Sequence, residues 1–131
     1  MNTNNSKVIE ALGLLPVKRV KTSILQFDGY QVGASSFAFS NSIEIGDDIK
    51  SMSICGFQGS STDPDDTCTL EVWPGSENIP TSFLSPVASG TFSNSLLYMG
   101  SIPTDSKWIK LKIINAHTSS RSYTVKLFMS T

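Results

Sequence analysis

The sequence contains few of the residues from which catalytic and metal sites are built. It has one histidine, His117, and two cysteines, Cys55 and Cys68. A general base must lie within hydrogen-bond reach of its target and be oriented by a third group, and nothing in the sequence places a nucleophile beside His117. No P-loop, zinc-protease, dinucleotide-binding or serine-hydrolase pattern occurs. We therefore predict that the protein is not an enzyme and that it holds no cofactor.

Charged residues are also scarce, since they make up 16% of the chain against about 25% in an average globular protein. Ten Lys and Arg residues face eleven Asp and Glu residues, which gives a net charge of −1. With no cationic surplus to neutralise phosphates, we do not expect nucleic-acid binding.

Long apolar runs are missing as well. No stretch approaches the roughly 20 apolar residues that span a bilayer, so no membrane partner is expected. The start of the chain has no basic cluster, and its apolar stretch is interrupted by Glu10, Gly13 and Pro16, unlike a signal peptide. We therefore expect the chain to be synthesised and folded in a cytoplasm.

The two cysteines flank a polar loop and leave two alternatives open. In a reducing compartment both remain thiols. If the segments around Cys55 and Cys68 form a hairpin, a cross-strand disulfide is the alternative, and it requires the two Cα atoms to lie within about 7 Å.

The loop between the two cysteines contains Asp63, Asp65 and Asp66, whose oxygens suit calcium. Their spacing does not match an EF-hand, so we predict a solvated turn and no metal.

We predict that the first 16 residues form an N-terminal arm and that residues 17–131 form the domain. Ser6 can cap a short helix that Pro16 ends. A helix this short is marginal alone, so it requires a surface to pack on. That surface belongs either to its own domain or to a neighbouring subunit, in which case the arm is a partner-binding segment. The apolar residues of the arm are Val8, Ile9, Leu12, Leu14 and Leu15.

After Pro16 the helical period gives way to alternation of apolar and polar residues, which is typical of half-buried strands. Strands are predicted from about residue 20 to 27, around Phe37 and Phe39, around Ile43, and over 49–57, 68–72, 91–99, 109–113 and 123–129, with a turn at 28–29. We predict that the last two strands form a long hairpin. The fold class is thus all-β, an antiparallel β-sandwich or jelly roll.

Two tryptophans are candidate binding residues. Trp73 ends a strand beside Pro74 and Gly75, and Trp108 has the same strand parity as Lys110 and Lys112. Either both rings cap the ends of the core, where large rings are usually buried, or they form an exposed platform that stacks on sugar rings. Tyr30, Tyr98 and Phe128 are further aromatic candidates.

From about residue 39 onward, the chain resembles the small β-sandwich proteins of tailed-phage virions. The resemblance rests on a strand and turn from Leu70 to Gly75, a strand from Lys107 to Asn115, and a closing strand from Tyr123 to Leu127. It implies a capsid decoration (cement) protein that binds the major capsid protein or other virion subunits, often as a trimer, on the virion surface after synthesis in the host cytoplasm. The alternative is a carbohydrate-binding β-sandwich module with Trp73 or Trp108 as its platform.

Overall fold

The structure, a computed structural model, describes residues 21–59, 68–76, 78, 80 and 84–131. These residues form an antiparallel β-sandwich, as the alternation predicts. The strands are β1 (Lys21–Val32), β2 (Ser36–Phe39), β3 (Ile43–Glu44), β4 (Ser51–Gly59), β5 (Thr69–Pro74), β6 (Ala88–Thr91), β7 (Leu96–Met99), β8 (Trp108–Asn115) and β9 (Arg121–Ser130).

The strands divide into two sheets. Sheet A has the order β1-β9-β4-β7, and sheet B has the order β2-β8-β5-β6, with β3 also paired to β8. When the two-residue β3 is set aside, the first strand pairs with the last, the second with the second-to-last, and so on inward. This nesting of antiparallel pairs across two sheets is the jelly-roll arrangement.

The core lies between the sheets and is built from alternate residues of the long strands. In β8, Ile109, Leu111 and Ile113 are completely buried while the residues between them are half-buried. In β9, Tyr123 is also completely buried, and its ring packs edge-on against Phe92 at 5.4 Å between centroids. Full burial of a side chain of this size contributes about 1.5–3 kcal/mol relative to exposure, so these positions fix which face of each strand is inward.

One core position requires the absence of a side chain. Gly56 is buried in β4, and a Cβ atom there would lie 3.0 Å from Cε1 of Phe92. Contacts this short are rare between real atoms, and overpacking a well-filled core is destabilising. Glycine at this position therefore lets the Phe92 ring lie against the β4 backbone.

The predicted hairpin of the last two strands is wrong. β8 pairs with β2, β3 and β5 in sheet B, whereas β9 pairs with β1 and β4 in sheet A. The connection of residues 116–120 crosses from one sheet to the other. Alternation identifies the buried face of a strand, but it contains no information about the neighbouring strand.

Two local predictions also need correction. The pair Asp28-Gly29 does not end a strand, because it lies inside β1, where the register with β9 shifts. Gly29 has a φ of 61° and its N–H donates a hydrogen bond to Oγ1 of Thr124 at 3.0 Å, so a positive-φ residue produces a bulge here. The strand predicted over 91–99 is two strands, β6 and β7, which lie in different sheets.

Cys55 belongs to a strand of sheet A, whereas Cys68 directly precedes a strand of sheet B, and the alternative of a disulfide is wrong. Cys55 is exposed on the outer side of β4, whereas Cys68 is completely buried just before β5, and neither cysteine is part of a disulfide. The hairpin that would have brought them together does not form, because β4 and β5 are not partners. The predicted arm and the acidic residues 63–66 lie outside the described residues.

Candidate interaction surfaces

The outer side of sheet B carries a group of aromatic and charged side chains that we call the aromatic face. The register places them in neighbouring positions: Phe39 of β2 is opposite Lys112 of β8, which is opposite Glu71 of β5. In the next row Trp73 is opposite Lys110. The aromatic face consists of Phe37, Phe39, Glu71, Trp73, Trp108, Lys110 and Lys112.

Lys112 is at the centre of the aromatic face. Its Nζ lies 4.5 Å from the centroid of Phe37, 5.3 Å from that of Phe39 and 5.4 Å from that of Trp73. The ring faces carry negative electrostatic potential, so each of these contacts attracts the ammonium group. The cation therefore links the rings of two strands, β2 and β5, which are not adjacent in the sheet.

Glu71 fixes the orientation of the Trp73 ring. Nε1 of Trp73 donates a hydrogen bond to Oε1 of Glu71 at 3.1 Å, and the same oxygen lies 4.0 Å from Nζ of Lys112. Both partners of this ion pair are about one-fifth exposed, so the pair is partly shielded from water. A single carboxylate thus positions both the indole ring and the cation.

The rings of the aromatic face are accessible to different degrees. Phe37 is 60% exposed, while Phe39, Trp73 and Trp108 are half-buried. Phe39 contacts both Phe37 and Trp73 edge-on, with centroids 5.8 and 6.3 Å apart. The rings therefore form a continuous band across β2 and β5 that a flat or extended ligand can contact.

Both tryptophans singled out from the sequence lie on the aromatic face rather than in the sandwich interior. Trp73 of β5 is opposite Lys110 of β8. Trp108 lies two residues before Lys110 on β8 and is therefore the diagonal neighbour of Trp73. Diagonal neighbours are about 7–8 Å apart. The structure thus brings the two rings to one surface, beside a pair of phenylalanines that sequence reasoning did not include.

The outer side of sheet A carries a second surface, which we call the apolar face. Its members are large and exposed, with Tyr98 at 72%, Leu96 at 60% and Phe57 at 51%. Phe57 is opposite Leu96, and Cys55 is opposite Tyr98. Contiguous apolar patches of this kind mark interaction sites. The apolar face consists of Leu25, Phe57, Leu96, Tyr98 and Phe128.

An open depression of about 510 Å³ lies at one end of the apolar face. Tyr98, Phe128 and Lys21, the first residue of β1, are among the residues that line it. The rest of the lining is mostly small, namely Thr22, Ser23, Ser51, Ser53, Gly100 and Ser130, together with Met52 and Met129.

His117 belongs to an ordered turn between β8 and β9. Its Nδ1 lies 3.1 Å from Oγ of Ser119 and accepts a hydrogen bond from the Ser119 backbone N–H at 3.2 Å. Nη2 of Arg121 lies 3.1 and 3.0 Å from the two ring nitrogens. All of these contacts join His117 to residues two or four positions later, so they are the contacts of a local turn.

The sequence alone did not reveal the apolar face or the role of Glu71. Leu25, Phe57 and Leu96 occupy the outward parity of their strands, where polar residues are expected, and that violation was the available signal. Glu71 looked like an ordinary exposed strand residue, because its partners Trp73 and Lys112 are recognised only once β5 and β8 are known to pair.

In the part of the chain that the structure describes, no group of three or more His, Cys, Asp or Glu residues is arranged to bind a metal ion. Within the same residues, no helix has the length and hydropathy needed to cross a membrane.

Comparison with known proteins identifies structural neighbours but no sequence family: no protein-family model and no curated protein matches. The structure is similar to the SPBc2 prophage-derived protein YomS, with a TM-score of 0.51 and 13% identity over 89% of this chain and 98% of that one. It is similar to VP2 of the infectious bursal disease virus subviral particle, with a TM-score of 0.57 and 18% identity, over 87% of this chain and 33% of that one. A low-affinity xylan-binding module from Roseburia intestinalis aligns with a TM-score of 0.44 and 11% identity, over 86% of this chain and 96% of the module. The first two of these neighbours have TM-scores above 0.5, and at these identities they establish a shared β-sandwich fold alone.

Proposed function

We propose that this chain is a virion structural protein that binds other virion subunits through the aromatic face of sheet B. The observation that carries the proposal is the band of Phe37, Phe39, Trp73 and Trp108 across an outer sheet surface. Aromatic residues are enriched at protein interfaces and supply many of the side chains that dominate binding energy.

The organisation of the band also favours a binding role. Glu71 and Lys112 hold the Trp73 ring before any partner arrives, so little side-chain freedom is lost on association. Preorganisation of this kind increases affinity because less ordering accompanies binding. The rim is polar, with Glu44 next to Trp108 and Ser89 next to Glu71.

The structural neighbours support the same context. One is prophage-derived and another comes from a viral subviral particle. Together with the resemblance to tailed-phage sandwich proteins, they favour a capsid decoration protein on the virion surface, where bound copies add interface area and stabilise the particle by mass action. A homo-oligomer, with a trimer as the expected form, would give several aromatic faces per assembly and raise the avidity for a repetitive lattice.

Cosedimentation with purified particles tests this function. Phe37→Ala and Trp73→Ala should each reduce the particle-bound fraction at least tenfold, as expected for interface anchors. Tyr30→Ala is the matched control, because Tyr30 is an aromatic residue of similar exposure (52%) that lies outside the aromatic face. Equal binding of all three variants and the unmodified chain would remove the aromatic face from the proposal, and no binding by the unmodified chain would refute the virion role.

Glycan binding is the second candidate function, and the fixed orientation of Trp73 is the observation that favours it. An indole ring held by Glu71 at 3.1 Å presents a flat apolar surface beside hydrogen-bonding groups, the combination found in small-molecule sites. A glycan array probed with the unmodified chain, Trp73→Ala and Trp108→Ala separates this candidate from the first. Specific sugar binding lost in either variant, without particle binding, would favour it.

A further inference from the structure

We propose that residues 8–15 of this chain bind the apolar face of their own sandwich, at the depression between Tyr98 and Phe128. This inference is independent of the function proposed above, because it concerns sheet A and an intramolecular contact. The sequence left open whether the arm packs on its own domain or on a neighbouring subunit. The position of the depression in the fold favours the first alternative.

The first argument is the chemistry of the surface. Tyr98, Leu96 and Phe57 are each more than half exposed, and the register places them in adjacent positions of β4 and β7. An apolar surface of this extent gains free energy when another apolar surface covers it. The arm is the most apolar segment of the chain outside the described residues, with Val8, Ile9, Leu12, Leu14 and Leu15 within eight positions.

The second argument is the point at which the described chain begins. Lys21 is one of the residues that line the depression, so the preceding residues start next to it. The five residues 16–20 span at most about 17 Å when extended. Sheet A is three strand spacings wide, or about 14–15 Å. Residues 8–15 can therefore reach any strand of the apolar face without strain in the connecting segment.

The third argument is charge. The only charged residue within positions 8–15 is Glu10. Two cations lie at the apolar face: Lys21 lines the depression, and Lys126 lies opposite both Leu25 and Cys55. Glu10 is thus complementary in charge to these two cations, whereas a positively charged residue in its place would be repelled.

Residues 8–15 of the same chain are favoured over those of a second copy, because the short connection through residues 16–20 keeps them close to the apolar face. A tether of a few residues gives an effective concentration in the millimolar range. At micromolar protein concentration, a second copy would need a far higher intrinsic affinity to compete for the same surface.

Cys55 provides a native reporter for this contact. It is exposed on the outer side of sheet A between Lys126 and Tyr98, whereas Cys68 is completely buried. Labelling of the full chain with a maleimide therefore reports coverage of the apolar face at Cys55, and the slow labelling of Cys68 reports that the sandwich is folded. We expect Leu12→Asp to increase the Cys55 labelling rate at least tenfold.

Asn4→Asp is the matched control, because it adds the same charge in the polar tip of the arm. Equal Cys55 labelling of the unmodified chain, Leu12→Asp and Asn4→Asp would overturn the proposal. If Cys68 also becomes reactive in Leu12→Asp, the sandwich has unfolded, and the milder variant Leu12→Ser is used in its place. The Cys55 labelling rate should again increase.

A cross-link identifies the occupant. With Leu12→Cys in the full chain, oxidation at low micromolar concentration should produce an intramolecular disulfide with Cys55, at a yield that does not change on dilution. A disulfide-linked dimer whose yield rises with concentration would show that a second copy occupies the surface and would overturn the proposal. Failure of both products to form would also overturn it.

Discussion

The Cys68 thiol donates a hydrogen bond to Oδ1 of Asn115, 3.3 Å away and 47 positions later in the chain. Asn115 is completely buried, and its Oδ1 also accepts the His117 backbone N–H at 3.0 Å. Its Nδ2 contacts the carbonyl oxygens of Val32, Gly33 and Ser119 at 3.0–3.2 Å. One amide thus joins the end of β1, the start of β5 and the turn after β8.

Asn115→Ala should lower the free energy of unfolding by about 2–3 kcal/mol, because it removes several buried hydrogen bonds and leaves their partners unsatisfied. Urea unfolding measures the change. Thr118→Ala, at an exposed position of the same turn, is the control and should change stability by less than about 0.5 kcal/mol. Equal losses would show that the amide network contributes nothing specific.

Gly56→Ala should destabilise the sandwich by about 1–3 kcal/mol through overpacking, because the new methyl group would lie 3.0 Å from Cε1 of Phe92. Thermal or urea unfolding checks this outcome. Gly33→Ala is the matched control, since a Cβ there meets the Ser36 side chain alone, at 3.6 Å from Oγ and 3.9 Å from Cβ, which are ordinary contacts. A stable Gly56→Ala variant would mean that the Phe92 ring moves aside at little cost.

Lys112→Met should lower stability by about 1 kcal/mol, because partly shielded cation–π contacts contribute about 0.5–1 kcal/mol each and are not additive. A double-mutant cycle of Lys112→Met with Phe37→Ala isolates the pair that lies at 4.5 Å. We expect a coupling energy of about 0.5 kcal/mol or more. Lys50→Met, at an exposed position outside the aromatic face, should be neutral, and a zero coupling energy would contradict the contact.

Glu71→Ala should release the Trp73 ring, because the acceptor of its Nε1–H is lost. Glu71→Gln keeps a side-chain oxygen in place and should preserve the ring orientation while the Lys112 ion pair disappears. The Trp73 indole N–H signal in a proton–nitrogen NMR spectrum distinguishes the two variants. If both variants shift it equally, charge rather than hydrogen bonding positions the ring.

The sequence predicted the fold class because burial in a sandwich depends on alternation, which is visible residue by residue. In β4, Met52 and Ile54 are buried and Cys55 and Phe57 are exposed, so the strand has one inward and one outward face. Pairing was not predictable in the same way. β8 and β9 are neighbours in sequence but belong to different sheets, since the connection between them crosses the sandwich and Asn115 anchors the crossing.

The candidate site was predictable only in part, for a related reason. Trp73 and Trp108 were recognised as single rings, and the parity of Trp108 with Lys110 correctly indicated the outer face. The clustering of Trp73 with Phe39 and Lys112 depends on three strands, β2, β8 and β5, being adjacent in that order. The apolar face was missed because a single outward apolar residue such as Phe57 does not indicate a surface, and only the pairing of β4 with β7 places Phe57 beside Leu96.

The placement of β9 has a consequence for the order of folding. This strand lies in the interior of sheet A, flanked by β1 on one side and β4 on the other. Without Arg121–Ser130, β1 has no partner in its sheet among the described residues, and β4 lacks one of its two neighbours. Such long-range pairing slows folding. We therefore expect sheet A to close late, once two segments separated by about 90 positions have met.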